Sequence, residues 1–120
     1  MGWATSEADI QAPLGFDLFG YSYRDVSGSC VHGSVRNDSY GEGYEVMDVI
    51  GTVLEIKEGF GIIHFYKNGK DQGEAYRFSW KDGDKMFPSV SLYQGGKCRG
   101  KFIQMEWTSC DDSSHFDRFV

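Results

Sequence analysis

The sequence predicts an all-β protein, an antiparallel β-sandwich. Three observations carry that expectation. Short runs of β-branched and aromatic residues alternate with polar ones, as in Phe19, Tyr21 and Tyr23 against Gly20, Ser22 and Arg24. Glycine is abundant, at 16 residues against two prolines, and it clusters between those runs, where tight turns need it. No segment combines helix caps with a sustained 3.6-residue period. At 120 residues the chain has the size of one domain with a modest core.

Taken in order, residues 1–18 read as irregular, with Ala12-Pro13-Leu14-Gly15 unsuited to a helix. Residues 19–24 read as a strand, "DVSGS" (25–29) as a turn, and "CVHGSV" (30–35) as a short strand. "RNDSYGEGYE" (36–45) reads as a polar loop. "DVIGTVLEI" (48–56) is the next strand, with Gly51 expected to mark a bulge or a close backbone approach. "IIHFYK" then runs into Asn68-Gly69. Asn-Gly tolerates positive φ at both central positions, which the right-handed twist of a two-residue hairpin demands. "KDQGEAYRF" (70–78) returns. "FPSVSLY" (87–93) and "KCRGKFIQMEW" (97–107) are the last strands, and residues after 107 lack a clean pattern. Ile63, Phe65, Val49, Val53, Val90 and Leu92 are expected in the core, and Trp3 is expected there rather than on a ligand platform.

Composition narrows function. A formal net charge of -6 removes the usual driving force for nucleic acid and better suits a basic partner. No apolar run approaches a membrane span, and "MGWATSEAD" shows no signal-peptide pattern. Cys30, Cys98 and Cys110 suggest neither a disulfide framework nor a metal knuckle, which points to a reducing compartment and leaves the Asn37-Asp38-Ser39 sequon unused. His32, His64 and His115 lack zinc spacing. "SGSC" and "GSVR" are not nucleophile elbows, and "GEGYEV" is not a dinucleotide loop. No enzyme, metal or cofactor is expected.

Four segments in order carry a family resemblance: Asp48-Val49-Ile50-Gly51, Phe65-Tyr66-Lys67-Asn68-Gly69, Gly73-Glu74-Ala75 and Pro88-Ser89-Val90-Ser91-Leu92-Tyr93. Together they resemble a SPRY (B30.2) domain. Gly2-Trp3, Gln11-Ala12-Pro13-Leu14-Gly15, Asp17, Phe19, Tyr21, Ser22 and Arg24 are similar to its ASH2-type branch. The resemblance implies a concanavalin-like jelly roll, here partial over 1–105 because the family's first strands have no counterpart, with a divergent tail at 106–120. It also implies sheet edges left exposed for a partner or further chain to cover.

The family binds peptides without catalysis. In the ASH2-type branch it holds an acidic, aromatic segment of an RBBP5-like partner, in a complex that methylates histone H3 lysine 4, which implies a nuclear location. Residue by residue, the family's proline falls on Pro13. Its tyrosine falls on Phe16, which keeps the ring and loses the hydroxyl, and its lysine falls on Val26, which loses a charge. Pro13, Phe16, Arg24, Tyr23, Lys97 and Arg99 are the candidate peptide-binding residues. The alternatives are a cytoplasmic SPRY adapter of a ubiquitin-ligase, Ran-binding-protein-like or cytoskeletal system and, more remotely, a lectin-like sugar binder.

Overall fold

A computed structural model describes residues 1–92 and 96–100, together with the backbone of 104–107 and 116–119. Two antiparallel sheets face each other. The first orders its strands β4-β3-β2-β1-β8, comprising β1 (Gly2–Ala4), β2 (Gly20–Tyr23), β3 (Cys30–His32), β4 (Val35–Asn37) and β8 (Phe87–Ser89). The second is the meander β5 (Ile50–Lys57), β6 (Phe60–Lys67) and β7 (Lys70–Ser79). The backbone of β9 (Gln104–Trp107) pairs with that of β10 (Phe116–Phe119). This is the expected all-β sandwich.

Both tight turns of the meander follow from their residues. Asn68 and Gly69 take φ of 51° and 83°, and Gly59 takes 86° between β5 and β6. Asn68 adds its own clamp: its Oδ1 accepts from Val49 N–H at 2.8 Å, and its N–H donates to Val49 O at 2.7 Å. β6 and β7 pair through a bulge around His64, where Asp71 Oδ1 accepts from Gly73 N–H at 2.7 Å and Gly73 takes φ of 102°. The irregularity expected at Gly51 therefore lies on the other side of β6, since β5 and β6 pair without interruption.

The core is aromatic. Tyr23, Ile63 and Phe65 are fully buried, and Trp3, Tyr21, Tyr40, Tyr44, Ile50, Leu54, Tyr76 and Phe78 pack around them. Tyr23 lies 5.2 Å from Phe65, 5.0 Å from Tyr44 and 5.6 Å from Tyr40, ring centre to ring centre. Each buried hydroxyl has a carbonyl to bond, as a phenol in a core requires. Tyr23 donates to Glu42 O, Tyr40 to Gly73 O at 2.6 Å and Tyr44 to Tyr23 O at 2.7 Å.

Several expectations are corrected. Residues 1–18 are not wholly irregular, because Gly2–Ala4 forms β1 between β2 and β8. The 36–45 segment starts as the end of β4, and its two tyrosines seal the core. Val49, Val53, Val90 and Leu92 are exposed rather than buried. On β5 the inward set is Ile50, Thr52, Leu54 and Ile56, and Val53 points the other way because a strand alternates faces every residue. The 87–93 strand stops at Ser89, and Tyr93 lies outside the described residues. Residues 97–100 carry no strand structure, residues 101–103 lie outside the described residues, and Gln104–Trp107 of the last expected strand forms β9. Cys110 and His115 lie outside the described residues.

Candidate functional site

The segment between β1 and β2 crosses the outer face of the five-stranded sheet. Two glycines permit the approach. A Cβ on Gly15 would stand 2.5 Å from Val31 O and 2.7 Å from Ser22 Oγ, and one on Gly20 would stand 3.0 Å from Leu14 Cδ1. Gly15 also takes φ of 94°. The segment is pinned at several points. Leu14 N–H donates to Ser91 Oγ at 2.7 Å, and Asp17 accepts from Asp9 N–H and Phe19 N–H, each at 2.9 Å.

The β3–β4 turn forms the other clamp. Gly33 and Ser34 both take positive φ, the geometry of a two-residue hairpin. Gly33 N–H donates to Asp17 O and Ser34 N–H to Gly15 O, both at 2.9 Å, while Ser34 Oγ–H donates to Phe16 O at 2.6 Å. So fixed, the segment presents Pro13, Phe16 and Leu18 to solvent, with Phe16 56% and Leu18 69% exposed. Pro13 and Phe16 are thus both exposed on this pinned segment, an apolar shelf joined by the Phe16 N–H to Pro13 O bond of 3.0 Å.

The other candidates separate from it. Tyr23 is buried in the core, so it cannot meet a ligand on the surface. Arg24 is exposed but lies beyond the opposite end of β2 from this shelf. Val26, also exposed, stands at Arg24's end. Lys97 and Arg99 are exposed, in a stretch without strand structure.

A cation that sequence reasoning assigned to a loop stands instead on β4. Arg36 is directly across from Val31, on whose carbonyl Gly15 rests, and its Nε is 2.7 Å from Asp38 Oδ1. Only the strand register reveals the pairing of Arg36 with Val31.

At Arg24's end of the sheet a second cluster forms. A pocket of about 220 Å³ is lined by Asp25, Gly43, Tyr44, Glu45, Asp48 and Lys67. Lys67 Nζ donates to Gly43 O at 2.9 Å, and Lys70 Nζ to Glu42 Oε2 at 3.0 Å. Lys70 holds the Glu42 carboxyl below its ordinary range, and the Asn68 amide, helped by Glu45 N–H, does the same for Asp48. Among the described residues no group of three metal-ligating side chains gathers.

Comparison with known proteins now decides the family: residues 1–105 match the SPRY domain family. The chain is a SPRY domain. The SPRY domain is 35% identical over 138 aligned positions to the Set1/Ash2 histone methyltransferase complex subunit ASH2 of Drosophila melanogaster, covering 78% of this chain and 24% of that protein. It is 40% identical over 58 positions to the COMPASS component cclA of Colletotrichum higginsianum, covering 47% of this chain and 10% of that protein. Over 77 positions it is 38% identical to the ATP-dependent RNA helicase DDX1 of Xenopus laevis, covering 64% and 10%. The SPRY domain therefore spans a quarter or less of each of these relatives, and ASH2 and COMPASS subunits among them agree with the ASH2-type branch.

Proposed function

We propose that this SPRY domain is a non-catalytic protein-interaction module of an ASH2-type assembly, serving a nuclear complex that methylates histone H3 lysine 4. Its ligand is an extended segment of a protein partner, acidic and aromatic in the manner of an RBBP5-like chain. One observation carries the reading: Pro13 and Phe16 stand exposed on a segment whose backbone is bonded to Ser34, Gly33 and Ser91. A surface so ordered in advance gives up little conformational freedom on binding, which is what a peptide site needs. Phe16 supplies the apolar anchor. Arg36 supplies a guanidinium within the same face, where a partner carboxylate competes with Asp38.

The alternative is a SPRY adapter of another system, and the similarity to a helicase rather than a complex subunit favours it. Calorimetric titration with an acidic, aromatic peptide of the RBBP5-like type separates the two. Phe16→Ala should weaken binding by about 1–3 kcal/mol, the range of a central anchor. An unchanged affinity in a folded Phe16→Ala variant removes this site from the reading. No binding of the peptide to the parent removes the ASH2-type partner.

A further inference from the structure

Asn68 is followed by glycine, whereas the chain's other asparagine, Asn37, is followed by Asp38. A glycine in that position leaves its amide nitrogen open to the asparagine side chain. Gly69 is exposed, and a Cβ there would meet nothing within 4 Å, so water and base reach the nitrogen freely. The Asn68 side chain, by contrast, is held at both ends. Its Oδ1 accepts from Val49 N–H at 2.8 Å, and its Nδ2 donates to Asp48 Oδ1 at 2.9 Å. A backbone N–H only donates and a carboxylate only accepts, so the amide has a single orientation here. Asp48 is held in turn, because its Oδ2 accepts from Glu45 N–H at 2.9 Å.

We propose that Asn68 is a deamidation site, restrained while the hairpin is closed, whose product breaks the brace between the β6–β7 hairpin and the turn before β5. The Gly69 nitrogen gives its proton to base and attacks Asn68 Cγ. The new N–C bond closes a five-membered succinimide as the Cγ–Nδ2 bond breaks, and the amide nitrogen leaves as ammonia with a proton from water. A second water then adds to one ring carbonyl and opens the ring. The product is aspartate, or isoaspartate, in which the main chain runs through the former side-chain carbonyl and is one carbon longer. In sum, one water is consumed and one ammonia released. Closing the ring turns Asn68 ψ well away from a two-residue turn with positive φ at both positions and takes the side chain from Asp48 and Val49. The pairing of Lys67 with Lys70 opposes the same rotation. The reaction therefore waits on local opening of the hairpin. Its aspartate product lacks Nδ2 and sets one carboxylate against another where a 2.9 Å hydrogen bond stood.

The test incubates the 120-residue chain at mildly alkaline pH, in buffer and in concentrated urea, and follows deamidation by mass spectrometry of fragments that separate Asn68 from Asn37. Asn68 should react at least tenfold faster in urea than in buffer. Asp48→Ala, which removes the acceptor, should raise the rate in buffer at least threefold and leave the rate in urea unchanged. Asn68→Asp, the product itself, should melt below the parent. Adding Asp48→Asn to it should recover the loss, because an amide at position 48 donates to the new carboxylate and still accepts from Glu45 N–H. No reaction at Asn68 in urea overturns the site, and equal rates in buffer and urea, or an unchanged buffer rate in Asp48→Ala, overturn the restraint. Asn68→Asp melting with the parent, or no recovery in the double variant, overturns the broken brace.

Discussion

The indole N–H of Trp3 donates to Thr52 Oγ1 at 2.8 Å, joining the five-stranded sheet to the meander. Thr52 Oγ1–H in turn donates to His64 O at 3.1 Å. The apolar body of Trp3 packs against the core while its one polar atom is matched across the sheets. Thr52→Val keeps the shape and removes the hydroxyl, leaving the Trp3 N–H without this partner. It should lower unfolding free energy by about 1–2 kcal/mol. Urea denaturation measures it, and an unchanged midpoint would mean that solvent replaces the bond at no cost.

Gly69 isolates backbone strain from packing. A Cβ there would meet nothing within 4 Å, yet φ is 83°. Gly69→Val should therefore destabilise by about 1–3 kcal/mol through the backbone alone. Gly69→Asn, which tolerates this region better, should recover part of the loss. Matching melting curves for Gly69→Val and the parent would contradict the turn geometry.

The Asn68-Gly69 hairpin was legible because turn chemistry is local: two residues specify it. The inward face of β5 was not, because Val53 and Leu54 are adjacent apolar residues and a one-residue change of phase exchanges the two faces. Only pairing with β6, which sets Leu54 opposite Ile63, resolves it. Tyr40 and Tyr44 were hidden for another reason. They sit among glycines and carboxylates that do belong on a surface, and only their hydroxyl bonds across the core explain why rings from a polar loop turn inward. Pro13 and Phe16 were named from their motif and are exposed, whereas the place of Arg36 opposite Val31 required the register of β3 with β4.

Gly15 governs the shelf. Gly15→Ala would push a methyl into Val31 O and Ser22 Oγ and would strain the positive φ as well. The segment should lift from the sheet, with the Gly15–Ser34 and Phe16–Ser34 bonds lost. Amide hydrogen exchange should accelerate at Gly33 and Ser34 while β5–β7 stay protected. Protection preserved at Ser34 would show that the segment does not depend on this contact.

Burial pushes the Tyr40 phenol up to about 12, with the Phe65 N–H partly opposing it, and burial also raises Tyr44 and Tyr76. A raised pKa means that the folded state holds these protons more tightly than the unfolded chain. The associated stability is complete below the ordinary tyrosine value of about 10 and is lost as pH rises from there towards the folded values. Unfolding free energy should be flat from neutral pH to about 9 as far as these groups are concerned, and then fall. Tyr40→Phe removes the titrating group together with its bond to Gly73 O, so it should lower stability at neutral pH and make the alkaline decline shallower. Denaturant melts across the alkaline range, read alongside tyrosinate absorbance, provide the check. A decline of equal slope in Tyr40→Phe would assign the alkaline sensitivity to other groups, Tyr44 and Tyr76 first among them.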